Sequence, residues 1–380
     1  MPAFVDPSLQ SWIPPKPTES ELDWAPLIVI DLAKWDSPGG KQQLARDLTH
    51  AVRNVGFWVV INSGIPQEAI DRQFSLATTF FNLPLEEKNE VKFVVGEGYV
   101  GYYEPRLVRN TTHMENMEIL NLHKFTPGTN IPRHAFVSQH EEEITAFQKL
   151  VFDAVITKIF ILFAIILELP EDHFVNMHVF EKESDDHVRY IKYKPRTVDE
   201  DKVLNDQWMA GHTDFGSITL LFPQPIAGLQ VLTDDGWKWV KYVEGGITCN
   251  AADLMSLMTK VSINLSSMRC ENERGTPRGY VKSAIHRVVR PPPDQAHIGR
   301  LGVFFFVRPT NTVIIKPSAS PVLKREGLWT EEDENFPAED GATCSEFIAA
   351  RIQKFNVSRT AQTNDNEVVR VKNWEVRNKY

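Results

Sequence analysis

The stretch GHTDFGSITLLF, residues 211–222, decides how this 380-residue chain is read. Its second half carries the β-branched and aliphatic residues of a strand. In its first half His212 and Asp214 stand two apart, and residues i and i+2 of a strand point to one face. One imidazole and one carboxylate would then project together from a sheet. Such a pair is weak evidence by itself, because a chain with 11 histidines holds about 0.7 of them by chance. The order of the segments around it gives it weight.

VRYIKY precedes the pair, and GLQVL, WKWVKY, GITCN, YVKSAIHRVV and LGVFFFV follow it. Turn residues such as Asp234-Asp235-Gly236 and Pro291-Pro292-Pro293 separate these short β-branched and aromatic runs. Many short strands without intervening helices predict a sandwich or barrel, not a parallel α/β sheet. His286, in YVKSAIHRVV, is the natural third ligand. Two histidines and one carboxylate leave three adjacent coordination positions open, which suits Fe(II) enzymes that bind a chelating cosubstrate and O2 together. Zinc more often takes a closed, tetrahedral set. Arg300 opens RLGVFFFV, fourteen residues past His286. If the keto-acid end of 2-oxoglutarate chelates iron, its far carboxylate calls for a planar, permanently charged fork, and arginine supplies one. The alternative is an ordinary salt bridge. His113-Met114-Glu115 and His140-Glu141-Glu142 read as solvated or structural. The first lies in a loop and the second starts a helix, where i and i+2 do not share a face.

Further toward the N-terminus, residues 1–26 are rich in proline and polar residues and read as an extended arm. LIVID (27–31) and FWVVI (57–61) read as strands. Between them Leu44, Leu48, Ala51, Val52 and Val55 form one helical face. Pro66 opens a second helix with Ile70, Phe74, Ala77 and Phe81 on its buried stripe. A long helix over about 138–168 completes the N-terminal half, and its apolar run Ile159–Leu167 is too short to cross a bilayer, which takes about 20 residues. The organisation expected is an arm (1–26), an α/β region (27–185), a β-rich core (186–316), and a helix and charged tail (317–380).

The composition, 42% hydrophobic and 24% charged, is that of a globular protein. A net charge of −9 without long single-sign runs argues against nucleic acid or anionic membrane as partners. Cys249, Cys270 and Cys344 lie far apart, which excludes a CxxC site and a disulfide framework. With no signal-peptide pattern at the N-terminus, reduced cysteines fit a cytoplasmic location.

At this point the chain resembles the Fe(II)/2-oxoglutarate dioxygenase family that includes isopenicillin N synthase, flavonol synthase, gibberellin oxidases and thymine hydroxylase, its fungal members in particular. LIVIDL, GFWVVINSGIP and FFNLPLEEK resemble the family's N-terminal region. GHTDFGSITLLF, GLQVL, CNAAD and KSAIHRVV resemble the strands of its double-stranded β-helix (jelly-roll) core. The resemblance implies a mainly β fold with flanking helices and an α/β N-terminal region. It implies iron on His212, Asp214 and His286, the 2-oxoglutarate C5 carboxylate on Arg300, and a hydrogen bond from Tyr193 to the cosubstrate. Arg189 and Asn250 match recurring family positions and are read as structural.

Two features depart from the family. It usually carries Arg-x-Ser where this chain has Gly302, which removes one hydrogen bond of about 0.5–1.5 kcal/mol. In addition, 71 residues separate Asp214 from His286, and the excess falls in KVSINLSSMRCENERGTPR (260–278). That segment is open to three readings: a solvated loop, a flap over the pocket mouth, or a retained intron.

The expected function is Fe(II)-, 2-oxoglutarate- and O2-dependent hydroxylation, desaturation or cyclisation of a small organic molecule, in keeping with secondary metabolism. Tyr102, Tyr103, Phe215 and Phe304 are candidates for the substrate lining, with core packing as the alternative for each. Competing readings are a 2-oxoglutarate-independent oxidase of the isopenicillin N synthase kind and a catalytically silent binding protein. A zinc hydrolase is disfavoured because no HExxH motif is present. The oligomeric state is left open.

Overall fold

The computed structural model describes residues 9–93, 100–108, 111–125, 131–259, 280–337, 341–360, 369–372 and 374–376. The segment 260–278 therefore lies outside the described residues. In chain order the N-terminal part holds β1 (Ile28–Asp31), α1 (Gly40–Asn54), β2 (Phe57–Ile61), α2 (Gln67–Phe81), α3 (Leu85–Lys88), β3 (Gly101–Tyr103) and β4 (Met117–His123). Then come α4 (Ala135–Gln139), α5 (Glu141–Val151), a π-helical turn over Phe152–Ile156 and α6 (Thr157–Ile166). The β-rich part holds β5 (His187–Tyr193), α7 (Val198–Val203), β6 (Gln207–His212), β7 (Ile218–Leu221), β8 (Leu229–Thr233), β9 (Gly236–Trp239) and β10 (Ile247–Ala251). It continues with α8 (Asp253–Met258), β11 (His286–Val289) and β12 (Arg300–Val307), followed by α9 (Pro321–Arg325), α10 (Glu331–Glu334), α11 (Cys344–Thr360), β13 (Val369–Val371) and β14 (Trp374–Val376).

The apolar periodicities explain the helices. In α1, Leu44, Leu48, Ala51 and Val52 are buried. The helix ends at Gly56, whose φ of +80° and close approach to the Lys282 carbonyl leave no room for a Cβ. From α5 to α6 the chain is helical throughout, and the apolar run at its end is core: Ile159, Phe160, Leu162 and Phe163 are fully buried. Among the described residues no helix is long and apolar enough to cross a membrane.

Two sheets form the frame, one of eight strands in the order β1-β2-β10-β7-β12-β5-β4-β3 and one of four in the order β6-β11-β8-β9. Apart from the parallel β1–β2 pair, their ladders are antiparallel. The inner faces meet: Leu221 of the large sheet packs with Leu229 and Val231 of the small one, and Tyr193 stacks on Trp208 at 5.9 Å. The outer face of the large sheet is covered by helices, where the Tyr190 hydroxyl donates to Gln73 Oε1 at 2.7 Å. This is the jelly-roll expected. The large sheet takes strands from both sides of residue 186.

Three details differ from the sequence reading. Strands β3 and β4 were not anticipated, because Met117, Ile119, Asn121 and His123 alternate with Glu118, Leu120 and Leu122, and all seven are buried. Polar and apolar residues stand on both faces, so no hydrophobic period of two is visible. The strand at Gly211–Asp214 stops at His212, leaving Asp214 just beyond it. The strand in YVKSAIHRVV begins only at His286. The described part of the N-terminal arm packs on this same chain: Trp12 stacks on Phe74 at 4.1 Å, and Thr18 and Ser20 donate to Asp294. At the other side, Thr259 and Tyr280 are joined by a backbone hydrogen bond of 3.2 Å.

Candidate active site

His212 closes β6 and His286 opens β11, and these strands pair with the two histidines directly opposite. Their rings lie 4.3 Å apart. Each ring donates from Nδ1 to a carbonyl two residues back, His212 to Ala210 at 2.9 Å and His286 to Ala284 at 3.1 Å. Those carbonyls fix the tautomer and turn both Nε2 atoms inward, the usual way a protein orients imidazole ligands. Asp214 completes the set, with Oδ1 3.9 Å from His212 Nε2 and 3.7 Å from His286 Nε2. Among the described residues these three are the group of histidine, cysteine and acidic side chains able to hold a metal ion.

The protonation states suit a cation. Burial, with help from His286, pushes His212 down to about 4, so its ring is neutral at pH 7. Burial pushes Asp214 up, but His286, His212 and a hydrogen bond from Asn250 outweigh it and hold the carboxyl below its ordinary range. Asn250 Nδ2 donates to Asp214 Oδ2 at 2.9 Å, leaving Oδ1 for the shared centre. Asn250, expected to be structural, holds the Asp214 carboxylate with its amide. Only its register on β10, opposite Thr219 of β7, brings it there.

Arg300 stands opposite Tyr193 on the inner face of the large sheet. It is 1% exposed; Gly228 backs it, with Arg300 Cδ 3.3 Å from where a Cβ would stand. Its Nε and Nη1 have no hydrogen-bond partner among the described residues. A buried guanidinium with donors left over is costly unless an anion meets them. This orphaned fork is the test of fit for a dicarboxylate, and the site passes it. A cavity of about 90 Å³ adjoins Arg300, lined also by Leu221, Leu229, Val240 and Thr248 and roofed by Trp24 of the arm. Tyr193 sits beside it, 5.7 Å from ring centroid to guanidinium.

The four proposed lining aromatics separate. Tyr103 pairs with Ile119 on the inner face, where its hydroxyl donates to Glu115 at 2.6 Å. Tyr102, its neighbour, points to the opposite face. There its hydroxyl donates to Glu118 and its ring meets Phe80, so the structure does not bring Tyr102 to the site. Phe215 follows Asp214 and lies under the Arg351 guanidinium at 4.5 Å. Phe304 is on the inner face two strand steps from Arg300. Arg189 also faces inward, donating to Asn121 Oδ1 at 2.6 Å and lying over Phe306 at 4.5 Å. His113-Met114-Glu115 and His140-Glu141-Glu142 form no metal cluster with other described residues.

Comparison with known proteins agrees with this geometry. Residues 27–142 match a family model described as the non-haem dioxygenase in morphine synthesis N-terminal region. Residues 184–309 match the 2OG-Fe(II) oxygenase superfamily. A UPF0676 protein of Schizosaccharomyces pombe is 28% identical over 76% of this chain and 83% of its own. The 2-oxoglutarate-dependent dioxygenase tropC of Talaromyces stipitatus is 25% identical over 68% of this chain and 80% of its own. Among solved structures, a full-length Neurospora crassa protein in complex with alpha-KG superposes with a TM-score of 0.71 at 21% identity, covering 90% of this chain and 99% of that one. The paired histidines, the aspartate and the buried arginine thus sit in a chain that belongs to the 2OG-Fe(II) oxygenase superfamily, an oxidoreductase that works with Fe(II), 2-oxoglutarate and O2.

Proposed function

We propose that His212 Nε2, Asp214 Oδ1 and His286 Nε2 hold Fe(II), and that Arg300 and Tyr193 receive the C5 carboxylate of 2-oxoglutarate. The reading extends to the substrate: a small organic molecule of secondary metabolism, hydroxylated, desaturated or cyclised. One observation carries it, the buried Arg300 whose Nε and Nη1 lack partners among the described residues, on the inner face of the fold that holds the triad. Bound there, the metal and 2-oxoglutarate supply oxidising power from O2, with succinate and CO2 as by-products.

The chain's own residues do the rest. Ala210 and Ala284 carbonyls and the Asn250 amide aim the three ligand atoms. Arg300 fixes the far end of the cosubstrate through charge-assisted hydrogen bonds. Tyr103 and Phe215 would stand on the side of the chamber where a substrate is held and water excluded. The N. crassa protein has also been solved in complex with thymine and with 5-formyluracil, small molecules of the general class proposed here. The working unit in this reading is the β-rich core of residues 186–316, with the N-terminal region 27–185 adding β1, β2, β3 and β4 to its large sheet. A cytosolic setting without nucleic-acid or membrane partners agrees with a net charge of −9 and with the buried thiols Cys249 and Cys344.

The test is anaerobic. Fe(II) followed by 2-oxoglutarate should give a weak visible charge-transfer band that needs both additions, and Arg300→Gln should abolish it at the same concentrations. Iron binding without a band rules out chelation of 2-oxoglutarate, and folded protein that takes up no iron rules out the triad. Succinate release across a substrate panel then identifies the substrate class.

A further inference from the structure

Strand β12 presents Arg300, Gly302, Phe304 and Phe306 to the chamber, since alternate residues of a strand share a face. Each step of two residues is about 7 Å. The register fixes their levels. Phe306 stands opposite Thr219, which stands opposite Asn250, the residue bonded to Asp214. This is the level at which Asn250 holds the Asp214 carboxylate. Phe304 stands one step further, opposite Leu221, and Arg300 two steps beyond that. From the other sheet His286 stands opposite Val231, which packs in one cluster with Leu221 and Phe304, so the Phe304 ring lies beside the path from the histidines to the guanidinium.

Gly302 decides how its ring is placed. A Cβ on Gly302 would lie 2.6 Å from Phe304 Cε2 and 3.1 Å from Cζ, closer than carbon atoms approach. The ring is folded back along the strand over Gly302, toward Arg300. It packs against the apolar cluster of Leu221, Leu229 and Val231 and is only partly buried. The space beside Arg300 that a side chain at 302 would fill is filled by the residue two positions on.

We propose that Phe304, seated on Gly302, is the specificity-determining wall of the cosubstrate arm. This rests on the reading that Arg300 holds the C5 carboxylate. The ring edge lies against the two methylenes of 2-oxoglutarate and sets the length of 2-oxo diacid that spans from triad to arginine. Gly302 and Phe304 form one unit. A serine at 302 meets the ring before it meets a carboxylate, and gains a hydrogen-bonding role only when the ring is gone.

The test is calorimetric binding of 2-oxoglutarate and of 2-oxoadipate, one methylene longer, to the full-length Mn(II)-loaded protein. Wild type should favour 2-oxoglutarate. Phe304→Ala should weaken 2-oxoglutarate about tenfold and reduce or reverse the preference, the scale on which one methylene is discriminated. Phe304→Leu should fall between the two and serves if the alanine variant melts early. Gly302→Ser should also weaken 2-oxoglutarate, and the double variant Gly302→Ser/Phe304→Ala should bind it more tightly than Gly302→Ser alone. The proposal is overturned if folded Phe304→Ala and Phe304→Leu keep wild-type affinity and preference, or if Gly302→Ser tightens binding with Phe304 in place. Arg300→Gln separates the two levels: if it binds 2-oxoglutarate like wild type, the arginine reading itself is wrong.

Discussion

Asp214 is useful to a metal only if its carboxylate faces the two histidines, and one amide fixes that. Asn250→Ala removes the 2.9 Å hydrogen bond to Oδ2 and leaves the carboxylate free to rotate. Iron affinity should fall about 10- to 100-fold with little change in fold, measured by Fe(II) titration beside a far-ultraviolet circular dichroism spectrum; unchanged affinity would deny Asn250 the orienting role. His212, Asp214, His286 and Arg300 were legible in the sequence because their chemistry is rare at that spacing and order. Asn250 was not, because asparagine serves many ends and its partner stands 36 residues away. Tyr102 and Tyr103 show the same limit. Both are aromatic and adjacent, and on a strand adjacency means opposite faces. Which face looks inward depends on pairing with β4, which sequence alone did not reveal.

At the level of elements, α11 is tied to the loop that carries Asp214. Arg351 Nη2 reaches Asp253 Oδ2 at 2.5 Å, and its guanidinium covers Phe215. Asp253 in turn donates its backbone N–H to the Asp214 carbonyl at 2.9 Å and accepts from Ser283 Oγ at 2.7 Å. Breaking a largely buried pair costs about 3–5 kcal/mol, so Arg351→Ala should lower unfolding stability in urea by about that much. It should also weaken iron binding, because the backbone carrying Asp214 loses its brace. A variant as stable as wild type would show that the helix merely lies alongside. The helix near 343–355 was legible from its sequence. Its role was not, since Arg351 and Asp253 are 98 residues apart. Most of the short apolar strands around the site were read to within a few residues, but the one carrying His286 starts six residues later than its apolar run suggests. Strand β4 escaped because burial on both faces erases the alternation that marks a half-buried strand.

Across the whole molecule, acid should be the main threat to stability. His178 is buried between Phe160, stacked at 3.9 Å, and Ser217. Its Nδ1 donates to the Phe174 carbonyl, and its Nε2 accepts from the Ser217 hydroxyl at 2.7 Å. Burial pushes its pKa down to about 3, with nearby Lys124 adding to the effect. The folded ring therefore stays neutral at pH values where the unfolded chain, near 6.5, takes up a proton. Its contribution is complete above about pH 6.5 and is lost as pH falls toward 3. His123, pushed down to about 4 by burial, acts in the same direction. Asp185, raised to about 6 by burial, acts in the opposite one between about 4 and 6. Unfolding free energy should fall between pH 6 and 4, and His178→Gln should flatten the slope by about one proton, about 1.4 kcal/mol per pH unit. A slope unaltered in that variant would remove His178 from the account.

The bond between Thr259 and Tyr280 has a consequence for how this chain tolerates change in its gene. It is a closed neck: the segment between is attached at two points already in contact, and the two histidines pair across β6 and β11 whatever length hangs from it. Loop-closure entropy grows only with the logarithm of length, so each doubling or halving of the segment shifts stability by about 0.6 kcal/mol. Replacing 260–279 with a two-residue glycine link should leave iron affinity and melting temperature near wild type, and a variant that unfolds would show that the segment itself supports the core. The neck makes this the point where sequence can be gained or lost without moving the two paired histidines.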